Sequence, residues 1–167
     1  MGPMETALHG ETVHTVGELP RVGEPVPGFE LTGSDLSPVA LSDFAGQRVV
    51  LNIFPSLDTG TCAASVRRFN ELAAELENTA VICVSKDLPF AQARFCGAEG
   101  IENVTVASDF RSSFGQDYGV ELADSPMQGL LARTVVIIDP EGSVEYIQLV
   151  GEITEEPDYD AVLEVLS

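Results

Sequence analysis

Basic residues are scarce in this 167-residue chain: eight Lys and Arg stand against 27 Asp and Glu, a formal net charge of −19. Lys86 is the only lysine. Such a surface repels phosphate backbones, which argues against nucleic-acid binding and leaves a highly soluble acidic exterior as the plain reading. Long hydrophobic runs are also missing. No stretch approaches the roughly 18 apolar residues that a membrane-spanning helix needs. The opening MGPMETALHGETVHTVGELP has no basic start followed by a long apolar core, so no secretory leader is expected. Cysteine is sparse too: Cys62, Cys83 and Cys96 include no Cys-x-x-Cys pair and make no disulfide framework. The two histidines, His9 and His14, lie far from them in sequence, and a four-ligand zinc pattern is absent. A metal site is not expected.

What is present suits one compact domain over residues 1–167, with 44% hydrophobic residues to build a core. Thr6–Val16, centred on His9-Gly10-Glu11, reads as a hairpin, so residues 1–18 form an N-terminal extension. LPRVGEPVPGFEL is an extended, proline-rich connection into short strands at Phe29–Leu31 and Val39–Leu41, followed by a turn at Asp43–Gly46. Val49–Phe54 (VVLNIF), Thr79–Ser85 (TAVICVS) and Leu130–Asp139 (LLARTVVIID) are apolar runs of the kind found in strands covered on both faces. Ser143–Val150 alternates like a more exposed strand, joined to the previous run by a Pro140-Glu141-Gly142 turn.

Helical spacing fills the gaps. Cys62, Val66, Phe69, Ala73 and Leu76 fall on one face of a helix, with Asp58, Thr59 and Thr61 as candidate N-caps. Phe90–Glu99, Phe110–Tyr118 and Tyr159–Leu166 are further helical segments. The order is strand, helix, strand, helix, strand, helix, then a hairpin and a closing helix. That order predicts an α/β fold with parallel strands, crossover helices and a terminal antiparallel pair, as in a thioredoxin-like core.

Cys62 sits in the first turn of its helix, on the face turned towards the sheet. Unpartnered amides and the helix dipole at such a position favour a thiolate, the reactive form. Buried filler at a helix start is an equally good reading of that geometry alone. Thr59 has a hydroxyl within reach of the sulfur, and Pro55, which donates no hydrogen bond, can wall off a small pocket. Both also serve as plain N-cap and strand terminator.

Pro55-Ser-Leu-Asp-Thr59-Gly-Thr-Cys62 matches the Pro-x-x-x-Thr-x-x-Cys signature of peroxiredoxins. With NIFPSLDTGTCAASVRRFN and DLPFAQARFCGAEG, the chain resembles the bacterial thiol peroxidase subfamily, the atypical two-cysteine peroxiredoxins. The likeness runs from about Leu19 to EITEEPDYDAVLEVL. It implies that Cys62 is the peroxidatic nucleophile, that Thr59 aligns peroxide and sulfur, and that Pro55 shields the sulfenic acid. It places the family's late-strand arginine on Arg133, which would also be costly to bury without an anionic partner; a carboxylate could be that partner as well as a thiolate.

The resemblance also implies that Cys96 is the resolving cysteine, forming an intramolecular Cys62–Cys96 disulfide that thioredoxin reduces. Gly97 and Gly100 suit a segment able to fray there. The implied substrates are hydrogen peroxide and organic hydroperoxides. No cofactor is implied, and the implied assembly and compartment are a homodimer in the cytoplasm. Cys83, inside an apolar run, reads as buried filler. A redox sensor using the same thiol pair, or an interaction module with Cys62 as filler, are the competing readings.

Overall fold

In the computed structural model, which describes residues 3–167, the chain begins with a hairpin of β1 (Glu5–Leu8) and β2 (Glu11–His14). His9 and Gly10 both have positive φ, 51° and 83°, as a tight two-residue hairpin turn demands. After the proline-rich connection come β3 (Glu30–Gly33), β4 (Pro38–Ala40) and a 3₁₀ turn at Leu41–Phe44. The core then runs β5 (Arg48–Ile53), α1 (Gly60–Ala73), β6 (Thr79–Ser85), α2 (Pro89–Glu99), β7 (Thr105–Ser108), α3 (Phe114–Asp117), β8 (Thr134–Ile138), β9 (Val144–Leu149) and α4 (Tyr159–Leu166).

The large sheet has the order β4-β3-β7-β6-β5-β8-β9. β5, β6 and β7 are parallel, while β8 runs antiparallel to both β5 and β9. This is the expected thioredoxin-like arrangement. β5 shows how side-chain alternation builds its two layers. Val49, Leu51 and Ile53 pack on one face with Leu19, Phe29, Phe114 and Tyr118. Val50 faces the other way, into a cluster with Phe54, Cys62, Val66 and Phe69, on which α1, α2 and α4 lie. A fully buried side chain of the size of Val66 or Phe69 stabilises by about 1.5–3 kcal/mol, so a handful of them fixes α1 on the sheet.

Three segments differ from the sequence reading. The run Leu130–Asp139 joins the large sheet only from Thr134, because the residues before it pair elsewhere. Leu130 and Ala132 bond to Leu122 and Val120, and Leu131 bridges Glu121. Arg133 therefore stands immediately before β8 rather than within a strand. α3 is shorter than the expected Phe110–Tyr118, since Asp109 and Ser112 close a turn ahead of it. β7, the third crossover strand, has no long apolar run to mark it. Among the described residues, no helix is long and apolar enough to cross a membrane.

Candidate active site

The site forms where β5 gives way to α1. Phe54 extends the ladder with one more bond, its N–H donating to Val84 O at 3.1 Å. Pro55 is buried at the bend that follows and offers no donor to continue pairing. Thr59 then caps the helix with extended backbone angles, and its Oγ1 accepts from the Cys62 N–H at 3.4 Å. Of the three candidate caps, Thr59 is the one used. Cys62 lies in the first turn and is 0% exposed.

Arg133 meets it from the sheet. Its position before β8 puts it on the same side as Val135 and Ile137, which share the core cluster with Cys62. Nη2 donates to Cys62 Sγ at 3.2 Å, and Nε donates to Ile153 O at 2.9 Å. Arg133 is itself only 1% exposed, so its charge is desolvated and demands compensation. Among the described residues no carboxylate pairs with it, and the Cys62 sulfur is the side-chain partner that its guanidinium meets. Its Nη1 is buried with no hydrogen-bond partner among the described residues.

Beneath Cys62 lies a polar patch that sequence reasoning missed. Ser65 Oγ donates to Cys62 O at 2.7 Å and accepts from Asn52 Nδ2 at 3.3 Å. Asn52 Nδ2 also reaches Cys83 Sγ at 3.7 Å, its register partner across β5 and β6. Burial pushes the Cys83 thiol up to about 12, with the Asn52 donor only partly opposing it. A thiol so far from ionising is a poor nucleophile at neutral pH, and Cys83 is buried, as its place in an apolar run indicated.

Cys96 lies in the last turn of α2, half-buried against the cluster that holds Cys62. All three cysteines are free thiols. Partial burial raises the pKa of the Cys96 thiol. Its carbonyl accepts from the N–H groups of Gly100 and Ile101, and Gly100 takes the left-handed conformation (φ 66°) that closes the helix. Two side chains of α1 fasten this end of α2. Arg67 pairs with Glu99, and Asn70 Oδ1 accepts from the N–H groups of Glu102 (3.1 Å) and Asn103 (2.7 Å). Between the turn and these helices is a groove of about 360 Å³ lined by Leu57, Ala63, Arg67, Arg94 and Phe95 among others. The structure thus brings Thr59 and Arg133 to Cys62, buries Pro55 at the bend between β5 and α1, and sets Cys96 on the neighbouring helix, unbonded.

The comparisons agree on what this arrangement belongs to. The profile of the Redoxin family matches residues 21–163. The thiol peroxidase of Corynebacterium glutamicum is 58% identical over 163 residues, covering 98% of this chain and 99% of that protein. The thiol peroxidase of Mycobacterium tuberculosis is 59% identical over 162 residues, covering 97% of this chain and 98% of that protein. Among solved structures, a peroxiredoxin-like protein from Aquifex aeolicus superposes with a TM-score of 0.94 at 42% identity, over 99% of this chain and 98% of its own. The chain belongs to the Redoxin family, among the thiol peroxidases of the peroxiredoxin group, and is a thiol-dependent peroxidase.

Proposed function

We propose that Cys62 is the nucleophile of this peroxidase, acting on hydrogen peroxide and small organic hydroperoxides. Its thiolate attacks the terminal peroxide oxygen; the O–O bond breaks, the leaving oxygen takes a proton to become water or an alcohol, and Cys62 becomes a sulfenic acid. The observation that carries this reading is the 3.2 Å contact between Arg133 Nη2 and Cys62 Sγ in a site closed to solvent. A guanidinium there favours the thiolate, and the unpartnered Nη1 is a donor free to bind a peroxide oxygen. Thr59 aligns the substrate from the helix cap, and Pro55 keeps bulk water from the sulfenic acid.

Cys96 then resolves the intermediate. Its sulfur attacks the Cys62 sulfenic acid, water leaves, and an intramolecular Cys62–Cys96 disulfide forms. Because Cys96 sits in a closed helical turn and its thiol is raised by burial, the end of α2 must open first. Thioredoxin returns the disulfide to two thiols and is itself oxidised. The chain works as one domain, in a homodimer in the cytoplasm; these last features rest on the family resemblance alone.

The test is steady-state peroxide consumption coupled to thioredoxin and its reductase. Wild-type protein is expected to turn over many times and Cys62→Ser not at all. Cys96→Ser is expected to consume one equivalent of peroxide and stop. Appreciable activity in Cys62→Ser would overturn the nucleophile assignment, and undiminished turnover in Cys96→Ser the resolving step.

A further inference from the structure

The turn that carries the helix cap is held by a carboxylate about thirty residues away in sequence. Asp87, just past the end of β6, accepts from Ser56 Oγ at 2.7 Å through Oδ1. Its Oδ2 accepts from the Leu57 N–H at 2.8 Å and from Ser85 Oγ at 2.6 Å. Ser56 in turn governs Thr59. The Ser56 carbonyl accepts from the Thr59 N–H at 3.2 Å and from Thr59 Oγ1 at 3.1 Å. A threonine hydroxyl has a single proton. With that proton committed to Ser56 O, the lone pairs of Oγ1 are left to face the first turn of α1, where the Cys62 N–H meets them.

We propose that Asp87 is a positioning residue for the peroxidase reaction, acting through Ser56 to set the Thr59 hydroxyl beside Cys62. The proposal rests on Cys62 being the nucleophile. Asp87 never touches the sulfur; it restrains the two residues whose main chain decides where Thr59 points. A loop held at two adjacent points by one carboxylate cannot pivot, which keeps the hydroxyl within the narrow range that alignment requires. Asp87 also precedes Leu88, the N-cap of α2, so the same carboxylate joins the turn bearing Thr59 to the root of the helix bearing Cys96.

The test is a double-mutant cycle between Asp87 and Thr59, read as the second-order rate of Cys62 oxidation by hydrogen peroxide in a Cys96→Ser background. Asp87→Ala is expected to slow oxidation by about 10- to 100-fold, the size of loss that a misplaced reacting group produces. Asp87→Asn is expected to lose less, since its one carbonyl oxygen can take the place of Oδ2 and accept the Leu57 N–H. In Thr59→Val, where no hydroxyl is left to position, adding Asp87→Ala is expected to cost under about twofold. A general loss of folding would instead slow both backgrounds alike. Equal losses in the two backgrounds, or no loss in either, would overturn the proposal; if the alanine variant does not fold, the asparagine variant carries the same cycle. A Cys62→Ser control separates the two claims. If it still reduces peroxide, the nucleophile assignment is wrong; if it is inert and the cycle is additive, only the role of Asp87 falls.

Discussion

Arg133 Nε donates to Ile153 O at 2.9 Å, so the guanidinium on the Cys62 sulfur is anchored to the loop that follows β9. Arg133→Lys keeps the charge but loses the fork that bonds a carbonyl and a sulfur together. Arg133→Ala loses both. Oxidation of Cys62 by hydrogen peroxide, followed by stopped flow, is expected to slow by about 10²-fold in the alanine variant and by less in lysine. Equal rates in wild type and Arg133→Ala would show that the contact is packing only.

The Ile153 loop leans on the N-terminal hairpin. Ile153 N donates to Ala7 O at 2.7 Å, and Glu152 accepts from the N–H groups of His9, Gly10 and Thr154. Those amides, Thr154 foremost, hold the Glu152 carboxyl down at about 2. A depressed folded pKa means stabilisation that is present above the unfolded value of about 4.3 and is lost as pH falls through about 2. The protection factors of the His9, Gly10 and Thr154 amides, their exchange rates taken relative to the unfolded-chain rate at each pH, are therefore expected to stay high at pH 4 and to fall towards pH 2. Glu152→Gln is expected to show low protection at both values. Protection in that variant equal to wild type at pH 4 would remove the carboxylate from the hinge between hairpin and loop.

The clasp on α2 makes an opposite kind of prediction. Asn70 Oδ1 holds two amides just beyond the turn that contains Cys96. Removing it with Asn70→Ala loosens the end of α2 without touching either sulfur. Disulfide formation after a single peroxide addition, monitored as loss of the sulfenic acid, is expected to accelerate several-fold, about what one or two lost hydrogen bonds provide. The first oxidation of Cys62 is expected to stay within about twofold of wild type, because the substituted side chain shares no partner with the sulfur. A slower resolving step in Asn70→Ala would mean that the intact helix end, not its opening, delivers Cys96.

How much of this was legible beforehand follows from range in sequence. α1 and the inward face of Cys62 are local, legible from a spacing of three and four residues, whereas the choice of Thr59 over Asp58 and Thr61 as its cap is made by the backbone of the turn. Arg133 could be singled out because a charge in an apolar run stands out, yet its place before β8 depends on Leu130–Ala132 pairing with Val120–Leu122, which no local pattern signals. Asp87 was hidden among 27 acidic residues, since its distinction lies in donors from Ser56 and Leu57 that only the β5–β6 pairing brings near. Asn52 alone left a trace, as a polar residue inside VVLNIF; its partners Ser65 and Cys83 come from two other elements. β7 escaped notice because a four-residue strand buried by its neighbours needs no apolar run of its own.

Asp109 gives the chain a pH dependence unlike that of its exposed carboxylates. Its side chain is 0% exposed, one oxygen has no hydrogen-bond partner, and burial raises its pKa to about 6 against the pull of Lys86 Nζ at 3.4 Å. Gly115 makes the fit this close: its N–H donates to Oδ2 at 3.1 Å, and a Cβ there would come within 2.9 Å of the same oxygen. In the unfolded chain the group titrates near 3.9. The folded state therefore binds the proton more tightly, so the favourable contribution is full below about pH 4 and is lost as pH rises through about 6. The gap between the folded and unfolded values is worth roughly 3 kcal/mol. Asp109→Asn cannot ionise, so relative to wild type it is expected to gain stability by about that amount between pH 4 and pH 7.5, measured as the difference in urea midpoints at the two values. Parallel curves for the two proteins across that range would mean that Lys86 neutralises Asp109 fully and that the buried carboxylate is ionised throughout.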